Sequence, residues 1–522
     1  MVPNWNNVRQ GSIGIFTALI LFLSGCKAVN TRSGLFPKEE FRGFWVATVV
    51  NIDWPKSPND DIEKKKRDYL KILDFYQNLN FNAAIVQIRT AGDAFYPTDK
   101  APWSQYLIGK QGKEIENHVN LLHWMIAETH RRGFEFHAWL NPYRATFNLD
   151  TAELSGNHDY FKYPDWMIKY GNKYYYNPGV PEVQNHLVEI VKEVVVNYDI
   201  DAIHFDDYFY PYQIAGEEFD DNESYLLFRT ENQSKEDWRR SNVNKLIQEI
   251  NTMIKENKPW IQFGISPFGV WRNQTVDISG SDTKAGQTNY DNLFADPLKW
   301  IEEGWIDYIL PQIYWSLDFS PASHKKIMQW WISHTGNTNL YVGNAPYKIK
   351  NNADKAWKKK KELPLQIAEA RKYNRVKGNV FFSAKSLMDK KNENLVTLLK
   401  NKYYQYPALT PSLPGIRHIP KTPNIAEVKK FSDQFIINLK VAKAESLRYL
   451  VLYAATQSTQ VQINNPAHII KKYWINDFDI SENGLVILKV DKQLLEGKKI
   501  AAISSLDKFN VESLPEIFSL IE

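Results

Sequence analysis

The chain has 522 residues, and its 64 lysines and arginines against 60 aspartates and glutamates leave a formal net charge of +4. Nucleic-acid-binding proteins present a basic stripe; these charges are dispersed, so we expect no nucleic-acid partner. Apolar residues make up 43% of the chain, which suffices for a large core and argues against bulk disorder. The aromatic share of 14% slightly favours a carbohydrate partner.

The N-terminal segment has the pattern of an export signal. Residues 13–23 are mostly apolar, and this run fits a signal-peptide core better than a membrane-spanning helix. Leu23-Ser24-Gly25-Cys26 follows and resembles a bacterial lipobox, which implies cleavage before Cys26 and its lipidation. An ordinary signal peptide with an incidental cysteine is the alternative. We predict a signal peptide over 1–25 and a lipid-anchored tether over 26–38, which attaches the protein to a membrane.

Cys26 is the only cysteine in the chain. The body of the protein therefore has no disulfide, thiolate metal site or cysteine nucleophile. No HExxH or similar ligand spacing occurs, so we expect neither a metal nor another cofactor. Lys27, and no acidic cluster, follows the cysteine. By analogy with lipoprotein sorting, this predicts an envelope protein anchored in the outer membrane and facing the periplasm.

Short β-rich runs alternate with helical patterns over residues 39–405. The strand candidates are Phe41–Val49, Ala83–Arg89, Glu135–Asn141, Ile200–Asp206, Ile261–Pro267, Ile306–Tyr314, Leu340–Ala345 and Gly378–Ser383. Helices are predicted over 181–197 and near 60–79, 115–132, 235–257, 320–335 and 386–402. This order predicts an α/β fold, a (β/α)₈ TIM barrel with long loops. A doubly wound sheet is the alternative, but no glycine-rich loop follows the first strand.

The C-terminal part of the chain differs in character. Prolines punctuate residues 406–423 and predict a linker. Residues 424–522 contain short alternating runs, such as Gln434–Leu439, that suit a small all-β sandwich. The stretch Ile500–Glu512 resembles the closing strand of a fibronectin type III module. The sequence does not identify a protein partner for this domain.

Polar and aromatic residues collect where the predicted barrel strands end, which is where TIM barrels place their active sites. We predict that these side chains bind the substrate. They are Asp53, Trp54, Gln87, Arg89, Asp93, Trp139, Asn141, Tyr143, Arg144, His204, Tyr208, Trp271, Arg272, Asp291, Gln312, Tyr314 and Trp315.

The sharpest feature is the adjacent pair Asp206 and Asp207 at the end of the fourth strand. Strand alternation directs Ile203 and Phe205 toward the helices and Asp206 into the barrel mouth. Two carboxyls that converge on one ligand titrate as a coupled pair and retain a proton more easily, as general acid catalysis near neutral pH requires. A helix cap or a turn is the structural alternative.

Several ordered segments together resemble the family-10-like glycosyl hydrolases of bacterial lipoproteins. They include His137-Ala-Trp-Leu-Asn-Pro-Tyr-Arg144, His204-Phe-Asp-Asp-Tyr-Phe-Tyr-Pro211 and Leu310-Pro-Gln-Ile-Tyr-Trp315. The resemblance covers roughly residues 36–405 and implies a TIM barrel that hydrolyses glycans, in at least one branch peptidoglycan strands stripped of their peptides. It also implies that Asp206 and Asp207 are the catalytic pair.

The mechanism has two readings. The Asp-Asp pair looks like that of family 84 hexosaminidases, which implies that Asp206 orients the sugar's acetamido group, Asp207 protonates the leaving oxygen and the sugar's own acetamido oxygen attacks. Tyr314 looks like the chitinase tyrosine that binds the acetamido carbonyl, although Tyr208 stands where the chitinase acid would be. Alternatively, Asp206 is a conventional nucleophile or base. Its partner would be one of four carboxylates: Asp53, Asp93, Asp207 or Asp291.

The predicted arginines, tryptophans and histidine near the acid pair also have two possible roles each. Arg89 and Arg144 suit a lactyl or other glycan carboxylate, or a structural ion pair with an aspartate. The four predicted tryptophans suit stacking on sugars or core packing, and His204 suits a hydrogen bond to Asp206 or a place in a barrel layer. We therefore predict a lipid-anchored hydrolase of N-acetylhexosamine glycans. The alternatives are a non-catalytic glycan-binding lipoprotein and an exported glycosidase acting on dietary or host polysaccharide.

Overall fold

The computed structural model describes residues 36–115, 120–456 and 461–521. The predicted signal peptide, the lipidation site Cys26 and the tether up to residue 35 lie outside the described residues. Within the described ranges, no helix is both long and apolar enough to cross a membrane.

Eight parallel strands of the described chain close into a barrel, which confirms the predicted (β/α)₈ architecture. They are β1 (Phe41–Val46), β2 (Ala83–Arg89), β3 (Glu135–Leu140), β6 (Ala202–Phe205), β7 (Gln262–Ile265), β8 (Tyr308–Ile309), β9 (Asn339–Asn344) and β10 (Val376–Phe381). A hairpin, β4 (Met167–Tyr170) and β5 (Lys173–Tyr176), interrupts the loop after β3. The neighbours around the barrel are β1-β10-β9-β8-β7-β6-β3-β2, so β3 and β6 lie side by side.

Helices connect the barrel strands and cover them. The described helices are α1 (Ile62–Gln77), α2 (Gln105–Ile108), α3 (Leu121–Arg131), α4 (Asp159–Lys162), α5 (Pro181–Asn197), α6 (Asn222–Phe228), α7 (Lys235–Asn257), α8 (Asn289–Asn292), α9 (Pro297–Glu302), α10 (His324–His334), α11 (Glu362–Ala370), α12 (Ala384–Met388) and α13 (Glu393–Leu398). The predictions for 181–197 and 235–257 match α5 and α7. The helix expected near 386–402 is interrupted, because the Asp389 side chain accepts a hydrogen bond from Lys391 N and makes a turn.

The alternation predicted for β6 is present. Ile203 and Phe205 belong to the core between the barrel and the helices, whereas Ala202 belongs to the cluster inside the barrel. Gly264 on β7 makes room in that interior, because a Cβ there would lie 1.9 Å from the ring of Tyr308. Strand β8 is much shorter than predicted; Pro311, which has no N–H to donate to the ladder, follows soon after it.

Two antiparallel sheets form the C-terminal region. One has the order β11-β12-β15 and the other β14-β13-β16-β17. Their bounds are β11 (Asn424–Lys430), β12 (Gln434–Lys440), β13 (Leu447–Ala455), β14 (Ile469–Trp474), β15 (Leu485–Asp491), β16 (Ile500–Asp507) and β17 (Glu516–Ser519). The stretch expected to close the domain ends at Asp507, and β17 pairs beyond it. The likeness to fibronectin type III stays a prediction.

The C-terminal sheets pack against the N-terminal ends of the barrel strands. Tyr449 on β13 donates a hydrogen bond from its hydroxyl to the backbone oxygen of Phe134, 2.9 Å away. Asn510 donates one to the carboxylate of Glu135 at 2.6 Å. In the predicted linker, Leu409 accepts a 2.9 Å hydrogen bond from Glu40 N. These contacts leave the opposite, C-terminal end of the barrel for the aspartate pair.

Candidate active site

Asp206 lies where β6 ends and is held by the neighbouring strand β3. Trp139 donates a hydrogen bond from Nε1 to Asp206 Oδ2 at 3.1 Å, and Asn141 Nδ2 lies 3.2 and 3.3 Å from the two carboxyl oxygens. The side chain is buried, with 4% of the residue exposed. Three predicted site residues thus meet because parallel neighbours bring their carboxyl ends to the same edge.

Asp207 follows in the loop and is held from the other side. Tyr212 donates a hydrogen bond from its hydroxyl to Oδ2. Gln312 donates from Nε2 to Oδ1 at 3.0 Å and to the backbone oxygen of Ser266 at 2.9 Å. Asp207 is also only 4% exposed. Its partners are neutral donors, so the carboxyl is oriented without being neutralised.

Burial makes both carboxyls hard to ionise. Burial, together with the neighbouring charge of Asp207, raises the pKa of Asp206 to about 7. Burial also raises the pKa of Asp207. Arg144 lowers both values but forms no ion pair with either residue, and no other described cation does so. The pair therefore retains a proton close to neutral pH, which suits a general acid.

Half-buried aromatic rings surround the pair. Tyr208 and Tyr212 lie 5.5 Å apart, measured between ring centroids, in the loop that carries the acids. Tyr314 lies 6.2 Å from the ring of Tyr347, and Trp315 lies 5.5 Å from that of Phe268. Aromatic faces at a barrel mouth can stack on sugar rings while their polar tips reach hydroxyl groups.

The two arginines predicted to hold a glycan carboxylate, Arg89 and Arg144, have different surroundings. The guanidinium of Arg144 lies over the ring of Tyr208, 4.6 Å from its centroid. Arg89 is 1% exposed, and its terminal nitrogens lie 3.4 Å from the hydroxyl of Tyr176 and from the backbone oxygen of Asp93. Arg144 therefore borders the acid pair, whereas Arg89 is enclosed by protein.

Two residues expected to bind substrate instead hold the loop after β1. Asp53 accepts hydrogen bonds from the Ser383 hydroxyl at 2.7 Å and from Lys385 N at 2.9 Å, and burial raises its pKa. Gln87 accepts one from Val49 N through its side-chain oxygen at 3.0 Å. Their oxygens are satisfied by protein, so the structure does not bring them to the aspartate pair.

Trp54 and Asp93 are likewise occupied by local structure. Trp54 is fully buried in the core, and its Nε1 donates to the backbone oxygen of Lys65 at 2.8 Å. Asp93 accepts a hydrogen bond from the hydroxyl of Thr90 at 2.9 Å inside a turn. Trp54 does not stack on sugars as predicted, because its ring is fully buried and neither face is open to a ligand.

A third group lies in the core or in an outer cluster. Tyr143 is 1% exposed within the core. Trp271 stacks on Trp330 with 5.7 Å between ring centroids. Arg272 Nη2 and Asp291 Oδ1 form an ion pair at 2.8 Å. Asp291 is therefore neutralised locally and is not a free partner for Asp206.

Of the two roles predicted for His204, the structure shows the second: the residue lies in a layer of side chains inside the barrel and does not hydrogen-bond Asp206. Its Nδ1 lies 2.9 Å from the hydroxyl of Tyr308, and its Nε2 lies 3.0 Å from that of Ser266. Burial, together with His137, lowers its pKa well below the usual range. A neutral imidazole that forms no hydrogen bond with Asp206 takes no proton from it.

Sequence reasoning missed Tyr212, which donates to Asp207. The signal was present, because Tyr208-Phe-Tyr-Pro-Tyr212 continues the aromatic run directly after the acids. A cavity of about 470 Å³ lies beside this loop, and its lining includes Pro211 and Gln213, the two neighbours of Tyr212. Among the described residues, no group of three or more histidine, cysteine, aspartate or glutamate side chains could hold a metal ion.

A parallel (β/α)₈ barrel whose mouth presents two buried carboxyls within an aromatic rim defines a protein of the glycoside-hydrolase-like class. Residues 40–359 match the sequence model of the family glycosyl hydrolase-like 10, and the chain belongs to that family. This confirms the resemblance drawn from the sequence motifs.

Two curated relatives agree with this membership. Glycosyl hydrolase YngK of Bacillus subtilis (strain 168) is 42% identical over 484 residues, which cover 88% of this chain and 92% of the relative. Glycosyl hydrolase DigH of Escherichia coli (strain K12) is 36% identical over 366 residues, which cover 64% of this chain and 82% of the relative. Among solved structures, the PgaB (BpsB) glycoside hydrolase domain from Bordetella bronchiseptica is 10% identical with a TM-score of 0.43, covering 70% of this chain and 99% of that one. This structural likeness is too distant to bear on function.

Proposed function

We propose that the chain is a glycoside hydrolase that cleaves N-acetylhexosamine-containing glycans, with the glycan strands of peptidoglycan as its substrate. The observation that carries the proposal is the pair Asp206 and Asp207, buried at the barrel mouth and free of cationic partners within the described chain. Burying two adjacent acids without a cation costs stability, and a pure binding site gains nothing from that cost. The family and both relatives named glycosyl hydrolase support this proposal.

The geometry favours the substrate-assisted reading of the mechanism. Adjacent residues rarely flank a scissile bond from opposite sides, as the carboxyls of conventional glycosidases do. The other proposed partners of Asp206 are occupied: Asp53 and Asp93 by local hydrogen bonds and Asp291 by Arg272. Asp207 is left as the one candidate of the four, on the same side of the substrate as Asp206.

In the proposed reaction, the acetamido oxygen of the sugar attacks its own anomeric carbon while the glycosidic bond breaks. The pair holds one proton between its two carboxyls, and in this step that proton is on Asp207, which gives it to the leaving oxygen. The ionised Asp206 accepts a hydrogen bond from the acetamido nitrogen and stabilises the positive charge that develops there. Tyr314 hydrogen-bonds the acetamido carbonyl. Asp207 then removes a proton from the water that opens the cyclic intermediate, which restores both acids.

The location of the protein is part of the same proposal. Lipidation at Cys26 would anchor the enzyme in the outer membrane facing the periplasm, where peptidoglycan lies. The support is the lipobox-like Leu23-Ser24-Gly25-Cys26. Growth with a radiolabelled fatty acid tests this part, because Cys26→Ser should abolish the label.

The deciding experiment is mass spectrometry of the products released from purified peptide-free and peptide-bearing murein. We expect wild-type protein to release new reducing ends, and Asp207→Asn to reduce kcat about 10²–10⁴-fold while still binding the glycan, because it removes the general acid. Asp291→Asn is the matched control, since this carboxylate is already paired with Arg272. Binding without products from wild-type protein would instead identify a glycan-binding lipoprotein.

A further inference from the structure

Arg144 is a buried cation that has no carboxylate partner among the described residues. It is 9% exposed, and its Nε is buried without any hydrogen-bond partner. Its guanidinium makes one hydrogen bond in the described chain, a long one of 3.4 Å from Nη1 to the backbone oxygen of Thr90. By contrast, the equally buried Arg239 makes hydrogen bonds of 2.8 and 2.6 Å to the two oxygens of Asp221. An unpaired guanidinium costs free energy that an incoming anion would offset.

The backbone fixes Arg144 relative to the acids. Arg144 N donates to the side-chain oxygen of Asn141 at 3.1 Å, and the amide nitrogen of the same Asn141 contacts Asp206. The guanidinium also stacks on Tyr208, the residue after Asp207. An anion held by Arg144 would therefore lie next to the group on which the acids act.

Neither acid forms an ion pair with Arg144, and the side chains that donate hydrogen bonds to the two acids are all neutral. The hydroxyl and acetamido groups of a neutral amino sugar do not neutralise a buried guanidinium. A carboxylate does, because the planar fork of arginine donates two parallel hydrogen bonds to it.

We propose, on the basis of the function proposed above, that Arg144 binds a free carboxylate on the sugar next to the scissile bond and so selects acidic amino-sugar glycans. In peptidoglycan this carboxylate belongs to the lactyl group of muramic acid. A stem peptide converts it into an amide, which carries no charge. Arg144 is then the residue that makes the site prefer strands without peptides.

The test compares two forms of one substrate: oligomers of alternating N-acetylglucosamine and N-acetylmuramic acid with free carboxylates, and the same oligomers with each carboxylate converted to its methylamide. We expect wild-type protein to favour the free form by about tenfold or more in kcat/KM, mainly through KM, as the loss of a hydrogen bond to a charged group predicts. Arg144→Gln should abolish that preference, and Arg144→Lys should keep part of it.

Arg240→Gln is the matched control, because Arg240 also stacks on a tyrosine, 4.1 Å from the ring centroid of Tyr290, but is paired with Asp237. It should keep the full preference. The inference is overturned if wild-type protein cleaves both forms equally well, or if Arg144→Gln lowers kcat/KM for both by the same factor. The second result would mean that Arg144 only adjusts the acids, and an identical shift of both pH–rate profiles would accompany it.

Binding of the same oligomers, measured by calorimetry, separates this inference from the proposed function. If wild-type protein cleaves neither form but binds the free carboxylate more tightly, and Arg144→Gln removes the difference, the hydrolase proposal fails and the carboxylate site stands. Equal binding of the two forms by wild-type protein overturns the carboxylate site. Thermal unfolding of each variant identifies any substitution that disturbs the fold, and Arg144→Lys then supplies the comparison.

Discussion

Strand β6 has a buried aspartate near each end. The two are buried to a similar extent, but their charged neighbours and the directions of their pKa shifts differ. Asp201, before the strand, is 6% exposed, and Asp206, after it, is 4% exposed. Burial opposes ionisation of Asp201, but Arg448 and His130 outweigh it and hold its pKa well below the usual range. Burial and Asp207 raise the pKa of Asp206 to about 7. The neighbouring charge, and not the depth of burial, decides which acid is ionised inside the fold and which one retains its proton close to neutral pH.

The difference comes from the two partners of Asp201, of which the C-terminal sheets supply one and helix α3 the other. Arg448 on β13 places Nη2 2.9 Å from Asp201 Oδ1, and the Nε2 of His130 lies 2.7 Å from Oδ2. The C-terminal region thus supplies the cation for the stabilising end of the barrel. The two acids at the other end have no cationic partner among the described residues.

Removing Arg448 should have the largest effect on stability. Arg448→Met leaves Asp201 buried without its strongest partner, and such breaks cost about 3–5 kcal/mol. Urea unfolding should show a correspondingly lower midpoint. The double variant Arg448→Met with Asp201→Asn should recover part of the loss, because no uncompensated charge remains. A loss below about 1 kcal/mol would contradict the view that this pair anchors the barrel.

Replacing the two aspartates that flank β6 by asparagine, one at a time, should change stability in opposite directions. Because the pKa of Asp206 is raised, the unfolded chain releases this proton first, and stability falls as the pH rises from about 4 to about 7. Asp206→Asn removes that penalty and should stabilise the protein at pH 8 by about 2–4 kcal/mol, with no gain at pH 4. Because the pKa of Asp201 is lowered, its ionised form stabilises the fold above about pH 4. Asp201→Asn should therefore destabilise at pH 8, and this loss should shrink as the pH falls below 4.

Thermal unfolding of wild-type protein and of the two variants from about pH 2 to about pH 8 checks these signs. Loss of activity in Asp206→Asn together with higher stability would be the signature of a functional acid held at a cost. If both variants lose stability at pH 8 by similar amounts, the contrast between the two ends of β6 does not hold.

The sequence predicted the framework well, because alternation and helical periodicity are local properties. The bounds of β2, α5 and α7 match the predictions, and Asp206 was assigned to the right end of the right strand. Pro311 shows the limit of the same rule, since the predicted strand Ile306–Tyr314 continues through it whereas β8 ends at Ile309. Local patterns predict which element a segment tends to form, but a residue without a backbone N–H can end a strand that the pattern would extend.

The site was harder to predict, because side chains of the same type serve opposite purposes. Trp54 lies in the loop after β1 and Trp139 near the end of β3. The indole of Trp54 donates a hydrogen bond to a backbone oxygen in the core, whereas that of Trp139 donates one to Asp206. Nothing local in the sequence separates them. The same holds for Arg448, whose contact with Asp201 depends on how the C-terminal sheets pack on the barrel. Such distinctions depend on which elements meet in space.

The smallest expected effect concerns the second partner of Arg448. Its Nη1 lies 3.2 Å from Asp199, whose side chain is 34% exposed, against 7% for Asp201. Water already solvates Asp199, so Asp199→Asn should cost between 0 and about 1 kcal/mol in urea unfolding. The same arginine thus provides a matched pair of interactions that differ mainly in burial. If Asp199→Asn proves as costly as Asp201→Asn, exposure does not govern these ion pairs, and the anchor must be assigned to the arginine with both aspartates together.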